Sequence, residues 1–308
     1  MSSMCERADE YLALRRGLGF KLGRPGQLVC QFASYCAEVG SDIVTTELAL
    51  AWARQPRGSR QLWWSYRLAA VRGFARYLHA LDIRHEIPPA DLLPVGVRRA
   101  EPFIYSAAEI AALMTAARAL PHPLMSATYE TYIGLLAATG MRAGEAIALD
   151  RHDLNWSEQV LVVRNAKFGK SREIVLHPTT LEALEEYDSL RSRHIPRPQT
   201  PAFFVSTYRT RLNYNNVAFV FHRLTTSSGL TPRSARCRPR LHDLRHTFAV
   251  RTLVDWYEAG VDVAERMHLL TTYLGHTQPA YTYWYLSATP ELLGLVGQRL
   301  ELQLGQLP

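Results

Sequence analysis

The chain has 308 residues with 35 basic and 28 acidic side chains, and its formal net charge is +7 at pH 7. Its length fits about two domains, and a hydrophobic fraction of 47% excludes a wholly disordered chain. It contains no run of about 18 apolar residues and no apolar N-terminal signal, so we expect a cytoplasmic protein without a membrane partner and with its four cysteines reduced.

The positive charge is concentrated in one part of the chain. Residues 189–242 contain ten arginines and no acidic residue, which leaves a net charge of 7 − 10 = −3 on the remainder. Such an excess indicates either a polyanion partner, most simply nucleic acid, or a solvated arginine-rich face. Lysine is rare by comparison, since the chain has only Lys21, Lys167 and Lys170.

The first hundred residues have the pattern of short helices. Apolar residues recur at helical spacing over Gly26–Ala37, Thr45–Arg54 and Gln61–Leu81. Four prolines between positions 88 and 102 then disfavour helix. The pattern therefore predicts a helical domain over residues 1–97 and a linker over residues 98–105.

The pattern changes at Ser106, which has the spacing of a capping box with Glu109 and predicts a helix through Ala119. Two stretches on either side of a turn have the character of β-strands. The further elements predicted within residues 106–308 are helices over Leu124–Ala138, from Arg142, over Leu181–Arg191, over Asn215–Thr225 and from His242, and strands over Gln159–Arg164, Arg172–Leu176 and Phe203–Ser206. The sequence thus predicts a mainly α protein with a small β-sheet, in which a helical domain precedes an α+β domain.

The segment ATGMRAGE brings a glycine and an arginine to the junction of two predicted helices. Gly140 can end the first helix in a left-handed conformation, and Arg142 then lies beside the N-terminal N–H groups of the next helix. An arginine in that position suits a phosphate group. The alternative is an ordinary surface arginine.

Two of the three lysines lie in the predicted turn, in the segment NAKFGK. A lysine at a hairpin tip is usually solvated, but in a chain that otherwise uses arginine it indicates a need for lysine itself. Arginine stays protonated near neutral pH, whereas a lysine can release a proton. The turn therefore predicts a general acid, with Lys167 and Lys170 as the candidates.

The segment LHDLRHTFA places His242 and Arg245 on one helical face, since they are three residues apart. His242 and His246 are four apart, as in zinc-binding helices, so a metal-dependent hydrolase that uses His242, His246 and His276 is an alternative. That alternative gives Arg142 no role and places Arg245 beside a cation. A packed or solvent-exposed His246 is the plainer interpretation.

Three tyrosines, Tyr281, Tyr283 and Tyr285, follow His276 in the segment LGHTQPAYTYWY. Tyrosines are usually packed or surface side chains, and one becomes a nucleophile only where cations and a base favour its phenolate.

Together these segments resemble the tyrosine recombinases, also called phage integrases. The family pattern combines T-G-x-R-x-x-E, a β-hairpin lysine, H-x-x-R-H-T/S-F-A, L-G-H and a tyrosine nine residues beyond that histidine, and these parts occur here in that order. The last spacing selects Tyr285, and the hairpin pattern favours Lys167. The end of the chain also looks similar to integrases carried by transposons and integrative elements. The catalytic set that the resemblance implies is Arg142, Lys167, His242, Arg245, His276 and Tyr285.

The resemblance implies that DNA is cut and rejoined without a metal or another cofactor. Tyr285 would attack a backbone phosphate, form a 3′-phosphotyrosyl link and release a 5′-hydroxyl. The two arginines and His276 would hold the phosphate oxygens. Lys167 would protonate the leaving oxygen, and His242 would assist proton transfer from the tyrosine.

The resemblance also implies the partners. A core-binding domain, residues 1–97, and a catalytic domain, residues 106–308, would close around double-stranded DNA at specific recombination sites, with four copies acting on paired sites in the nucleoid of a bacterial cytoplasm. The apolar tail Ala288–Leu307 would form a helix that docks on a neighbouring subunit or packs on its own domain. Accessory DNA-binding proteins are compatible with the family. The remaining alternatives are DNA relaxation of the type IB topoisomerase kind and a catalytically silent DNA-binding regulator.

Overall fold

A computed structural model describes residues 3–56, 58–59, 61–93, 100–164, 171–276, 278–287, 292–294 and 297. Contacts divide the chain into two compact units, residues 1–99 and 100–308. The first unit is helical and the second is helical with one small sheet, which confirms the predicted fold class. Within the described residues, no helix combines the length and the apolar character that crossing a bilayer requires.

The described part of the first unit contains α1 (Met4–Gly17), α2 (Gly23–Glu38), α3 (Thr46–Arg54) and α4 (Gln61–Leu81). The apolar faces of these helices enclose a core in which the rings of Phe32 and Trp52 meet edge to face, with centroids 5.3 Å apart. The sequence pattern did not predict α1. This helix begins at Ser3, which forms a capping box with Glu6.

The second unit begins with helices that hold most of its core. The described elements are α5 (Ala107–Arg118), α6 (Pro123–Thr139), α7 (Ala143–Ala148), β1 (Leu154–Asn155), β2 (Val160–Val163), β3 (Arg172–Val175), α8 (Pro178–His194), α9 (Tyr214–Ser227), α10 (Asp243–Glu258), α11 (Val263–Leu274) and α12 (Ala280–Tyr283), followed by a 3-10 turn (Trp284–Ser287).

The sheet is antiparallel with the strand order β1–β2–β3, and β2 and β3 confirm the predicted pair. The strand predicted at Phe203–Ser206 is wrong, because the backbone there makes only isolated bridges, at Ala202 and Val205. A strand would send Phe203 and Phe204 to opposite faces. Instead both rings pack on Tyr187, at centroid distances of 5.3 and 5.2 Å.

A separate core lies between α10 and α11. It includes Leu253, Leu270 and Leu274, and it also includes Tyr285 from the 3-10 turn. Leu292, from the tail predicted to form a helix over Ala288–Leu307, is buried in this same core. The rest of that tail lies largely outside the described residues.

Candidate active site

Two arginines are anchored by the carboxyl ends of two helices. Gly140 caps the carboxyl end of α6, and Arg245 donates from Nη1 to the Gly140 carbonyl at 2.9 Å. Gly275 caps the carboxyl end of α11. There Arg245 donates from Nη2 to the Leu274 carbonyl at 2.6 Å, and Arg142 donates from Nη2 to the Gly275 carbonyl at 2.9 Å. The last carbonyls of a helix lack partners within the helix and carry partial negative charge. These two helix ends therefore fix both guanidinium groups.

Both helix ends require glycine. Gly140 has a φ of +60° and Gly275 has a φ of +65°, in the left-handed region that other residues rarely adopt. A Cβ on Gly140 would lie 2.4 Å from Cδ1 of Phe248, and a Cβ on Gly275 would lie 3.2 Å from Nη1 of Arg172. The glycines of the T-G-x-R and L-G-H segments thus permit the backbone turns whose carbonyls hold Arg142 and Arg245.

Glu145 joins Arg142 to another arginine that the sequence did not single out. Its carboxylate accepts from Nη1 of Arg142 at 2.7 Å and from Nη2 of Arg172 at 2.7 Å. Burial alone would raise the pKa of Glu145, but the hydrogen bonds and charges of Arg172 and Arg142 outweigh it and lower that pKa to about 2. Arg172 shares the inner face of β3 with buried Ile174, two residues away, and this alternation is the signal that could have identified it.

Asp150, which lies just after α7, pairs with a different arginine from those that Glu145 contacts. It forms an ion pair with Arg211, which also donates to the carbonyls of Ile147 and Leu149. Asp150 therefore braces the end of α7.

Arg245 is 2% exposed, and its desolvation lowers its pKa to about 10, with the charge of Arg142 acting in the same direction. It stays protonated at neutral pH. The structure thus holds one nearly buried cation and one half-buried cation side by side, an arrangement that attracts an anion.

Two histidines border this pair of arginines. Desolvation lowers the pKa of both His242 and His276 to about 4, and the charges of Arg245 and Arg142 add to the effect. His242 is exposed and His276 is partly buried, and because the pKa of each is lowered, both rings are neutral at pH 7. Nδ1 of His276 lies 2.7 Å from Oγ1 of Thr282, which leaves Nε2 to face a ligand.

Tyr285 is 2% exposed, whereas Tyr281 is 46% exposed and Tyr283 is 50% exposed. Its hydroxyl lies 3.2 Å from Nδ1 of His246, and its ring lies nearly parallel to the ring of His276 at a centroid distance of 6.1 Å. The structure therefore distinguishes Tyr285 from its neighbours and places it among the predicted site residues.

Five of the six predicted site residues come together in this way. The sixth, Lys167, lies outside the described residues, as does Lys170. The strands on either side are described, and β3 begins at Arg172, which contacts Glu145. Lys167 therefore stays a prediction from the sequence.

The metal alternative receives no support from the charges around its histidines. His242 and His276 lie close enough to Arg142 and Arg245 for these cations to lower both imidazole pKa values, and the same cations would repel a metal ion. Among the described residues, ligand atoms with suitable mutual distances belong to Asp150, His152 and Asp153. Both of those carboxylates already pair with arginines.

Comparison with known proteins settles the family. Residues 105–291 match the model of the phage integrase family. The chain is also 40% identical over 307 residues to "Putative integrase/recombinase y4rB" of Sinorhizobium fredii, and the match covers 98% of each chain. The chain belongs to the phage integrase family of tyrosine recombinases.

Other relatives of this tyrosine recombinase match in part or by fold. Tyrosine recombinase XerA of Pyrococcus horikoshii is 31% identical over 164 residues, which is 52% of this chain and 50% of XerA. A solved structure of the Tn1549 transposon integrase with transposon right end DNA superposes with a TM-score of 0.64 at 17% identity, covering 97% of this chain and 99% of that one. The last comparison shows the shared fold.

Proposed function

We propose that this tyrosine recombinase cleaves and rejoins DNA at specific sites through a 3′-phosphotyrosyl intermediate on Tyr285. The observation that carries the proposal is the convergence of Arg142 and Arg245, anchored by helix ends, with two neutral histidines and a buried tyrosine. Within the part of the chain that the structure describes, each anchored guanidinium keeps N–H groups that are not committed to another residue, since arginine has five donors. Those donors suit the non-bridging oxygens of one phosphate group.

In the proposed step the Tyr285 oxygen attacks phosphorus, the new O–P bond forms, and the bond from phosphorus to the 5′-oxygen breaks. The tyrosine proton leaves through His242, which is neutral at pH 7 and can accept it. Lys167 gives a proton to the departing 5′-oxygen. Nε2 of His276 hydrogen-bonds a non-bridging oxygen.

The phosphotyrosyl link retains the energy of the broken phosphodiester bond. A 5′-hydroxyl from a second duplex can therefore attack this link and release Tyr285, without a metal or a high-energy cofactor. Exchange of strands in this way needs paired sites and, in our proposal, four copies of the chain. The structure of a lambda integrase tetramer bound to a Holliday junction shares the fold at a TM-score of 0.60, and it supports this arrangement. We assign DNA core binding to residues 1–97 and catalysis to residues 106–308.

Covalent trapping tests the proposal. Nicked duplexes tiled across the DNA that flanks the gene would be incubated with the protein and a chelator, and adducts would be resolved by denaturing electrophoresis. We expect a protein–DNA adduct that Tyr285→Phe abolishes and that Tyr283→Phe, a change at a half-exposed neighbour, leaves in place.

The same assay distinguishes the alternatives. DNA binding without any adduct in the wild-type chain would indicate a silent regulator, and an adduct lost with the chelator would indicate a metal enzyme. Relaxation of a supercoiled plasmid by a monomer without site preference would indicate a topoisomerase. Any of these three results would overturn the recombinase proposal.

A further inference from the structure

His246 lies at the centre of an aromatic cluster that the proposed mechanism does not use. Its ring meets the ring of His242 edge to face at a centroid distance of 4.8 Å, and it meets the rings of Trp284 and Tyr285 at 5.4 Å each. Nδ1 of His246 is 3.2 Å from the Tyr285 hydroxyl. The cluster therefore combines ring packing with a polar contact to the reacting oxygen.

The contact connects the nucleophile to the element that carries a phosphate-binding arginine. His246 directly follows Arg245 in the first turns of α10, and Arg245 is fixed by the Gly140 and Leu274 carbonyls. Tyr285 comes from the 3-10 turn after α12, a separate element. A hydrogen bond between His246 and Tyr285 therefore sets the distance between the nucleophile and the arginine across two elements.

We propose that His246 is a positioning residue, whose Nδ1–H donates a hydrogen bond to the Tyr285 oxygen and so holds the nucleophile in register with Arg245. The inference rests on the proposed function of Tyr285 and adds a residue to it. The proton still leaves through His242, so His246 contributes orientation and not proton transfer. A misplacement of about 1 Å in a reacting group costs on the order of 100-fold in rate.

Two substitutions separate the hydrogen bond from the ring packing. His246→Asn keeps a polar side-chain atom near the position of Nδ1 and removes the ring. His246→Phe keeps the ring for His242, Trp284 and Tyr285 and removes both nitrogens. The measurements are the single-turnover rate of adduct formation on the nicked duplex, the affinity for uncut DNA and the thermal unfolding midpoint.

We expect His246→Phe to slow adduct formation by roughly 10- to 100-fold with unchanged DNA affinity, and His246→Asn to recover most of the rate. Equal rates for His246→Phe and the wild type would overturn the inference, as would an Asn variant as slow as the Phe variant, which would point to proton transfer. Absence of adduct in the wild-type chain would refute the proposed function itself, so the two failures are distinguishable.

Discussion

At the scale of a single residue, Glu145 offsets part of the positive charge of the site. Its carboxylate is 9% exposed and contacts two guanidinium groups, and its pKa of about 2 lies below the ordinary value of 4.5. A depressed pKa means that the ionised form stabilises the folded state above pH 4.5 and that this contribution is lost as the pH falls toward 2. The shift corresponds to about 3 kcal/mol at neutral pH.

Glu145→Gln should therefore lower the free energy of unfolding at pH 7 by about 3 kcal/mol, and the difference from the wild type should shrink as the pH approaches 2. Urea unfolding of both proteins at pH 7 and at about pH 3 measures this. A difference that stays constant between the two pH values would show that the carboxylate charge does not stabilise the fold.

Lys167 gives the second prediction at this scale, and it depends on the sequence alone. Lys167→Arg keeps the positive charge but replaces a side chain that can release a proton with one that stays protonated. We expect this variant to bind DNA as the wild type does and to lose most of its cleavage activity. Full cleavage activity in Lys167→Arg would refute the role of general acid.

At the scale of the element, Gly140 at the carboxyl end of α6 both ends the helix and accepts a hydrogen bond that holds Arg245 in place. Gly140→Ala would put a Cβ into a left-handed backbone and against Phe248, and we expect it to cost about 3 kcal/mol of stability. Gly144→Ala is the matched control, because Gly144 is exposed within α7 and a Cβ there meets nothing within 4 Å. That control should raise stability by about 0.5–1 kcal/mol. Equal destabilisation of the two variants would contradict this account of the helix end.

Elements with local signals were predictable from the sequence. α5 has its capping box at Ser106, and the α6 boundary at Gly140 follows from the readiness of glycine to adopt the left-handed conformation that ends a helix. Phe203–Ser206 was misassigned, because an apolar run does not reveal whether its alternate residues face one core or two. The Arg172–Glu145 contact joins residues 27 positions apart, and no local pattern predicts a pair at that separation.

At the scale of the molecule, the acid-free window of residues 189–242 divides into two groups of arginines. Some of them make contacts within the folded protein. Arg191, for example, is fully buried and donates to the Ala202 carbonyl. Three others form ion pairs with acidic residues, namely Arg211, Arg233 and Arg240. The remaining arginines, which are exposed and are outside these ion pairs, are Arg193, Arg197, Arg209, Arg223, Arg236 and Arg238.

Arg236 and Arg238 lie on the segment that leads directly to His242, so they are the exposed pair best placed to contact DNA phosphates near the site. Replacing both with glutamine should reduce the slope of log affinity against log salt by about 2. Arg191→Met, in the same window but buried, should leave the slope unchanged. Fluorescence anisotropy across a salt series measures both slopes. Identical slopes for the double variant and the wild type would show that these exposed arginines do not contact DNA phosphates.

The proposed mechanism joins Tyr285 covalently to DNA. Its most direct test is to isolate the adduct from a nicked duplex, digest the protein and the DNA, and locate the nucleotide-bearing peptide residue by mass spectrometry. We predict a 3′-nucleotide on Tyr285 and unmodified Tyr281 and Tyr283 in the same peptide. A nucleotide on either of those half-exposed tyrosines, or on any other residue, would contradict the account.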